Sequence, residues 1–191
     1  MRLFFVRHGE IPANIHKIYA GRSSEGLTTR GRKQANEIGR KFAQDTIEAV
    51  FHSPLLRTAE TAEIICQHIV CEPIAVDSFI ELKMGRWEGL AEHEVASLYP
   101  DEWKRWNSLP AELLIEGRET LHQLQERVLA GVRTIIVNYS SLKTILVVTH
   151  VAVIRVIILS VENRNLNQYK LIPIPNCGTF CFNSSDFNGL L

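Results

Sequence analysis

Two short, continuous apolar runs constrain the fold of this chain more than any other feature of its sequence. Leu3-Phe4-Phe5-Val6 and Ile145-Leu146-Val147-Val148 contain no polar position and are rich in aromatic or β-branched side chains. Strands with one face in water alternate apolar and polar residues, whereas strands covered on both faces are apolar throughout. We therefore predict that both runs are strands of a largely parallel sheet, with helices on both of its faces.

Helical patterns lie between and after these strands. From Thr28 onward, with Thr28 or Thr29 as the N-cap, apolar residues recur at helical spacing as far as Ala43. The same spacing predicts a long amphipathic helix over 121–136 and a buried helix over 151–159. An alternation of strands and helices is typical of an α/β fold.

Shorter apolar runs complete the predicted sheet. Further strands are predicted at 49–51, 73–76 and 179–182. Ser53-Pro54 has the pattern of an N-cap followed by proline at the first helical position, which predicts that a helix begins there. The polar tail from Asn183 to Asn188 is expected to fray.

The length of 191 residues favours one domain. We predict a single three-layer α/β sandwich over 1–191, with a lid-like excursion at about 79–118. The excursion lacks clear periodicity and contains all three tryptophans, Trp87, Trp103 and Trp106. These rings, with Tyr99, either stack on a substrate base or pack the excursion onto the sheet, and we favour packing.

Histidines and arginines follow the predicted strands at the points where the strands end. Arg7 and His8 follow the first strand, His150 follows the 145–148 run, and Arg57 lies in the helical turn after Ser53-Pro54. Ligands of such sheets bind at the carboxyl ends of the strands. We therefore expect these side chains to converge on one edge of the sheet.

This set of side chains suits phosphoryl transfer. Arginine presents a rigid fork of donors that matches phosphate oxygens, and neutral imidazole is a competent nucleophile near neutral pH. One histidine can attack phosphorus while the other, as imidazolium, stabilises the equatorial oxygens. The leaving alkoxide needs a proton from a carboxylic acid with a raised pKa, for which Glu81 is the best placed candidate.

Charge and cysteine content limit the kinds of partner and site that we expect of this chain. Lys and Arg total 21 and Asp and Glu total 21, so no global basic field is available to hold nucleic acid or an acidic membrane. The four cysteines include no C-x-x-C pair, which favours reduced thiols over a disulfide framework or a zinc site. No signal peptide or membrane-spanning run is apparent, so we expect a cytoplasmic protein, monomeric or homodimeric.

Five stretches in chain order form a recognisable pattern. They are Arg7-His8-Gly9-Glu10 with Asn14; Gly21 to Leu27-Thr28 with Gly31, Gln34 and Ala35; Ser53-Pro54-Leu55-Leu56-Arg57-Thr58 with Thr61-Ala62; Glu81-Leu82 with Gly85-Arg86-Trp87-Glu88-Gly89; and Val148-Thr149-His150. Together they resemble the histidine phosphatase superfamily, also called the phosphoglycerate mutase-like family, over nearly the whole length. The acid motif and the aromatic residues after it are similar to the α-ribazole phosphatase branch.

The resemblance implies a role for each catalytic candidate. His8 would be the nucleophile that forms a phosphohistidine, and Arg7, Arg57 and His150 would complete the phosphate pocket. Glu81 would protonate the leaving group and then activate water. The supporting substrate contacts would come from Asn14, Gly21, Arg22 and the backbone N–H of Val151. No metal ion and no organic cofactor is implied.

The chain departs from the family pattern at three positions. Val151 stands where glycine is common, Thr120 where serine is usual, and Ser24 where aspartate is frequent. The resemblance favours a phosphomonoesterase that acts on a small phosphorylated metabolite, with α-ribazole 5'-phosphate as a candidate substrate. Two alternatives stay open: a phosphoglycerate mutase, although the chain is too short for the usual mutase insertion, and a non-catalytic phosphate-binding regulatory module.

Overall fold

The computed structural model describes residues 1–190, which contain a five-stranded sheet. The strands are β1 (Arg2–Arg7), β2 (Ala49–His52), β3 (Pro73–Ala75), β4 (Thr144–Thr149) and β5 (Thr179–Asn183). Their spatial order is β3-β2-β4-β1-β5, and only β5, at one edge, runs antiparallel to its neighbour. The predicted α/β fold with a mostly parallel sheet is confirmed.

Helices connect and cover the strands. They are α1 (Pro12–His16), α2 (Thr29–Phe42), α3 (Leu56–Ile69), α4 (Glu92–Leu98), α5 (Pro100–Ser108), α6 (Leu121–Asn138) and α7 (Val151–Val161). Short 3-10 turns occupy 77–79, 85–87, 110–112, 166–171 and 184–187. Within residues 1–190, no helix combines the length and the apolar character needed to cross a membrane.

The continuous apolar runs are explained by two separate cores, one on each face of the sheet. In β4, Ile145 and Val147 point into the core that α6 and α7 cover, and Leu146 and Val148 point into the core that α2 and α3 cover. Successive side chains of a strand point to opposite faces. A strand that is buried on both sides must therefore be apolar at every position.

Helix α3 begins later than the sequence predicts. Ser53 is not its N-cap, and the helix starts at Leu56 with Leu55 as the N-cap. The hydroxyl of Ser53 is engaged elsewhere, since its Oγ lies 2.7 Å from Nε2 of His150. The Ser53 backbone N–H also donates to the carbonyl oxygen of Val148 at 3.0 Å, which prolongs the strand pairing past β2. Proline at the first helical position was therefore a wrong prediction.

The C-terminal tail is anchored rather than frayed. The backbone N–H of Asn183 donates to Asp186 at 2.8 Å, which closes the 3-10 turn over 184–187. Phe187 is fully buried and its ring lies 6.0 Å from that of Phe182. One buried aromatic side chain therefore holds a segment whose other residues are mostly polar.

The tryptophans of the excursion pack on each other. Trp87 is fully buried, and its ring lies 6.4 Å from Trp103 and 6.2 Å from Trp106. Tyr19, which precedes α2, joins the cluster 5.4 Å from Trp87. Tilted and edge-to-face contacts of this kind stabilise a core. The arrangement agrees with the packing interpretation of these residues, and it leaves Trp87 and Trp103 away from the cavity described below.

Candidate active site

The strand register brings the carboxyl ends of β1, β4 and β2 to one level. Arg7 of β1 is level with Thr149 of β4, and His52 of β2 is level with Val148. The backbone N–H of His8 then donates to the carbonyl oxygen of Thr149 at 2.9 Å, one residue past the end of β1. The residues that follow these three strands consequently meet at one edge of the sheet, as predicted.

His8 is buried, and its contacts favour the neutral imidazole. Its Nδ1 lies 2.7 Å from the carbonyl oxygen of Gly9, and because a carbonyl oxygen only accepts, Nδ1 must carry the proton. The lone pair of Nε2 is therefore free. Burial lowers the pKa of His8 well below its ordinary value, and the nearby charges of Arg57 and Arg7 lower it further.

His150 lies against His8. The two imidazole rings are 5.3 Å apart between centroids and meet edge to face. Nε2 of His150 contacts Ser53 Oγ, while its buried Nδ1 has no hydrogen-bond partner in the described part of the chain. Burial lowers the pKa of His150 well below its ordinary value, with Arg57 as the next cause. An anion bound beside this ring would favour its protonated form.

The two arginines are held by backbone carbonyl groups rather than by carboxylates. Arg7 donates to the carbonyl oxygen of Ile174 at 2.6 Å. Arg57 donates to the carbonyl oxygen of Gly21 at 2.6 Å and to that of Ser23 at 3.0 Å. The Nε atoms of both arginines are buried and have no hydrogen-bond partner within residues 1–190. Both guanidinium groups are thus fixed in place, and their charges stay available to an anion.

Glu81 is a buried acid beside these cations. Its Oε1 accepts a hydrogen bond from the backbone N–H of Leu82 at 2.8 Å, which leaves the other oxygen to carry a proton. Burial raises the pKa of the Glu81 carboxyl, although the charge of Arg57 opposes that rise. A carboxylic acid with a raised pKa suits general acid catalysis.

Arg22 and Gly21 lie next to the site in supporting positions. Nε of Arg22 donates to the backbone carbonyl of Glu81 at 3.1 Å, and its guanidinium lies 3.5 Å from Glu119. Arg22 is not among the residues that line the cavity. Gly21 lines the cavity and adopts a φ of 49°, where a Cβ atom would lie 2.4 Å from the carboxyl group of Glu88. Its carbonyl oxygen is the one that holds Arg57.

Asn14 offers a donor whose orientation is fixed. Its Oδ1 accepts hydrogen bonds from the backbone N–H of Ile11 at 3.2 Å and from Nδ2 of Asn176 at 2.9 Å. The amide oxygen is therefore occupied, and Nδ2 is the atom that remains for a ligand. Val151, the first residue of α7, also lines the cavity, and the N–H of a first helical residue has no partner within the helix.

Asn176 is a site residue that the sequence analysis missed. Besides Asn14, it donates to the carbonyl oxygen of His8 at 3.1 Å. The next residue, Cys177, has a φ of 55° and donates its N–H to the carbonyl oxygen of Arg7 at 3.0 Å. Only the Pro-Asn turn before β5 signals this role, because the contact joins residues that are 162 and 168 positions apart.

Most of these residues line a cavity of about 390 Å³. Its lining includes Arg7, His8, Arg57, Glu81 and Val151, and His150 is fully buried with its ring against that of His8. The lining also includes Tyr19, Met84, Trp106 and Tyr169, and four further charged side chains, Lys17, Glu92, Arg155 and Lys170. Residues 1–190 contain no group of three or more His, Cys, Asp or Glu side chains placed to hold a metal ion.

A model of one protein family matches most of the chain. The family is described as the histidine phosphatase superfamily (branch 1), and the match covers residues 3–187. Phosphoserine phosphatase 1 of Hydrogenobacter thermophilus is 28% identical over 169 residues, which make up 88% of this chain and 80% of that protein. A bifunctional protein of Mycobacterium tuberculosis is 32% identical over 158 residues, or 82% of this chain, and the chain spans only 43% of its length.

Solved structures share the fold at lower sequence identity. The Bacillus stearothermophilus protein YhfR superimposes with a TM-score of 0.90 at 23% identity, covering 95% of this chain and 90% of that one. The alpha-ribazole phosphatase of Shigella flexneri gives a TM-score of 0.86 at 21% identity, covering 96% and 90%. This likeness shows the fold alone, and it agrees with the sheet order described above.

Proposed function

This chain belongs to branch 1 of the histidine phosphatase superfamily and is a phosphatase, and from that premise we propose a metal-independent phosphomonoesterase that forms a phosphohistidine on His8. The observation that carries the proposal is the tautomer of His8. A proton held on Nδ1 by the Gly9 carbonyl leaves Nε2 unprotonated, inside a cavity that also contains Arg7 and Arg57. A neutral nucleophile flanked by two guanidinium groups suits attack on a phosphate dianion.

In the first step, Nε2 of His8 attacks phosphorus while the bond between phosphorus and the ester oxygen breaks. The ester oxygen takes the proton of the Glu81 carboxyl and leaves as an alcohol. Arg7 and Arg57 neutralise the phosphoryl oxygens. The positive charge that develops on the His8 ring is stabilised by the Nδ1–H bond to Gly9.

In the second step, the Glu81 carboxylate takes a proton from a water molecule. The water oxygen bonds to phosphorus, the nitrogen–phosphorus bond breaks, and the electron pair returns to Nε2 of His8. Inorganic phosphate leaves, and both side chains are back in their starting protonation states. Throughout, the protonated His150 donates Nδ1–H to a phosphoryl oxygen and Nε2–H to Ser53, which supports the bound dianion.

The substrates of this phosphatase are proposed to be small phosphate monoesters. α-Ribazole 5'-phosphate and phosphoserine are candidates, because proteins named for those activities share the fold or part of the sequence. Aromatic stacking by the tryptophans does not support α-ribazole, since they pack on each other and Trp106, the one tryptophan among the described cavity-lining residues, is 4% exposed.

The direct test is phosphate release from p-nitrophenyl phosphate in the presence of EDTA. His8→Ala is compared with His122→Ala, a matched control on the exposed surface of α6. We expect turnover in the wild type and the control, and a loss of at least about a thousandfold in His8→Ala. Rapid quenching is expected to trap an alkali-stable, acid-labile phosphoenzyme that His8→Ala does not form.

Other outcomes would point to other functions. Conversion of 3-phosphoglycerate to 2-phosphoglycerate without net phosphate release would indicate a mutase. Phosphate binding with no turnover of any ester would indicate a regulatory module. Activity that EDTA abolishes and a divalent cation restores would contradict the metal-independent mechanism.

A further inference from the structure

Two of the four cysteines are in contact at the C-terminal end of α3. Sγ of Cys66, in the last turn of the helix, lies 3.3 Å from Sγ of Cys71, which follows the helix. All four thiols are free, and within residues 1–190 no other two cysteine sulfur atoms are in contact. The phosphatase mechanism proposed above uses neither Cys66 nor Cys71.

The turn that ends α3 produces this contact. The backbone N–H of Val70 donates to the carbonyl oxygen of Cys66 at 3.1 Å, and Val70 adopts a left-handed conformation with a φ of 46°. A residue in this conformation reverses the chain, and the residue after it commonly packs back onto the last turn of the helix. The packing pair is usually apolar. In this chain it consists of two thiols, those of Cys66 and Cys71.

The backbone of the same turn is strained. Left-handed backbone favours glycine, because a Cβ atom crowds the following carbonyl oxygen, and a β-branched residue there is an outlier. The Val70 side chain is 94% exposed, so its burial does not compensate for the strain. Strained residues persist where the contacts around them fix their conformation. The contact between Cys66 and Cys71 spans Val70 and is placed to do so.

The two thiols differ in their access to solvent. Cys66 is 9% exposed and packs in the core with Ala62 and Ile65, whereas Cys71 lies at the edge of that core and is half-buried. Burial raises the pKa of the Cys66 thiol, and the hydrogen bond and charge of Cys71 raise it further. A dissolved oxidant therefore meets Cys71 first. Oxidation of Cys71 would also remove that residue's own contribution to the raised pKa of Cys66.

We propose that Cys66 and Cys71 form a reversible redox site, a dithiol that hydroperoxides and low-molecular-weight disulfides oxidise to an intrachain disulfide. The sulfur atoms have to approach from 3.3 Å to about 2.05 Å, which needs rotation of the two side chains and a small shift of an exposed turn. The disulfide prevents further oxidation of Cys71 to the irreversible sulfinic and sulfonic acids. This site is separate from the phosphatase function, and its test requires no turnover.

With a hydroperoxide, the Cys71 sulfur attacks the terminal oxygen and the oxygen–oxygen bond breaks. Cys71 becomes a sulfenic acid, and the departing alkoxide takes the thiol proton and leaves as an alcohol. The Cys66 sulfur then attacks the Cys71 sulfur, the sulfur–oxygen bond breaks, and hydroxide leaves with the Cys66 proton as water. The two thiols lose two electrons, which the hydroperoxide gains. Two molecules of a small thiol reverse the reaction and leave as their own disulfide.

The first test exposes the folded protein to an excess of oxidised glutathione, alkylates the remaining thiols and analyses tryptic peptides by mass spectrometry. Peptide 58–83 contains Cys66 and Cys71 and no other cysteine. Cys71 displaces one glutathione molecule, and Cys66 then displaces the other from Cys71. We expect this peptide to lack two hydrogen atoms, to bear neither glutathione nor an alkyl group, and to regain both thiols in dithiothreitol. Cys181, which is exposed and has no thiol partner within residues 1–190, should keep its glutathione.

Cys66→Ala tests the role of the second thiol. The variant leaves Cys71 without a partner and keeps an apolar side chain in the core. We expect a stable glutathione adduct on its Cys71, and with hydrogen peroxide a sulfinic or sulfonic acid that dithiothreitol does not reverse. Cys181→Ala is the control, in which peptide 58–83 should still form the disulfide. Circular dichroism and melting temperature show whether each variant is folded, and the wild-type result depends on neither variant.

Three results would contradict the proposal. Two alkylated cysteines in wild-type peptide 58–83 after excess oxidised glutathione would show that the sulfur contact is packing alone. A glutathione adduct that stays on Cys71 of the wild type, as on Cys181, would show that Cys66 does not displace it. Equal irreversible oxidation of Cys71 by hydrogen peroxide in the wild type and in Cys66→Ala would show that Cys66 gives no protection.

Discussion

Two residues of the candidate site have pKa values that burial shifts in opposite directions. Burial lowers the pKa of His8 and raises that of Glu81, because each charged form loses its hydration. Arg57 lowers the pKa of both groups, which reinforces the shift of the imidazole and limits that of the carboxyl. The first proposed step needs a neutral His8 and a protonated Glu81 at the same time. These shifts widen the pH range in which both forms coexist.

The pH dependence of turnover follows from those directions. For an alkyl phosphate, kcat/KM is expected to rise with pH as His8 loses its proton, and to fall again as Glu81 loses its own. The maximum then lies between the pKa of His8, which burial lowers, and the pKa of Glu81, which burial raises. Stopped-time phosphate assays across that range measure both limbs with sn-glycerol 3-phosphate.

Glu81→Gln is expected to remove the alkaline limb and to slow hydrolysis of the alkyl ester by about 10²- to 10⁴-fold. Its effect on p-nitrophenyl phosphate should be much smaller, because p-nitrophenolate leaves without a proton. Glu63→Gln, on the exposed surface of α3, is the matched control. Equal losses on both esters would show that Glu81 is not the general acid.

At the scale of elements, the N-terminus of α2 is docked against the loop that follows β1. A Cβ atom at Gly31 would lie 2.2 Å from the carbonyl oxygen of Glu10. Thr28, the N-cap of α2, accepts from the N–H of Gly31 at 2.9 Å and donates to Oε1 of Glu10 at 2.9 Å. The backbone of α2 therefore sets the position of the loop that begins with His8.

Gly31→Ala should shift that loop as well as lower stability. We expect a loss of about 1–3 kcal/mol in the free energy of unfolding, typical of overpacking, together with a fall in kcat that exceeds the change in KM. Gly39→Ala is the control in the same helix, because its Cβ would meet the His68 side chain at 2.5 Å, away from the loop. Urea unfolding and steady-state kinetics on p-nitrophenyl phosphate provide both readouts. Similar kcat losses in the two variants would argue against a specific role for the α2 contact.

The elements differ in how far the sequence determines them. Strands β1 and β4 could be predicted because burial on both faces leaves a continuous apolar run, and the cap at Thr28 is a local pattern. The start of α3 could not be predicted, because the hydroxyl of Ser53 contacts His150, 97 residues away, instead of capping the helix. The local preference of a residue for a helix cap does not decide the structure where a distant residue binds the same atom.

The same distinction holds for the candidate site. The carboxyl ends of β1, β2 and β4 are aligned by the sheet, so residues that directly follow those strands could be placed together from the sequence. Asn176 and Lys170 come from turns before β5, and nothing near them in the sequence indicates which loop they will contact. Arg22 is the opposite case. It lies within a recognised motif, yet it donates to the backbone carbonyl of Glu81 and does not line the cavity.

For the whole molecule, the notable feature is the segregation of charge. Basic and acidic side chains balance at 21 each, yet the cavity is lined by five cations, Arg7, Lys17, Arg57, Arg155 and Lys170, and by two carboxyl groups, Glu81 and Glu92. The excess positive charge is therefore concentrated on one concave surface. Such a surface attracts anions at a distance and is stabilised when one binds.

Phosphate should consequently stabilise the whole fold against heat. A ligand that binds only the native state, present at a hundred times its Kd, raises the free energy of unfolding by about 2.7 kcal/mol. In a chain of this size, each kcal/mol raises Tm by roughly 2–4 °C. We expect a rise of about 5–10 °C in Tm at saturating phosphate, measured by differential scanning calorimetry, and no comparable rise in chloride of equal ionic strength. Arg57→Met should lose most of the phosphate effect because Arg57 lines the cavity and its charge acts on His8, whereas Arg133→Met, on the exposed face of α6, should retain it. If chloride matched phosphate, or if both variants responded alike, the stabilisation would come from general screening, and the cavity would not be the anion site.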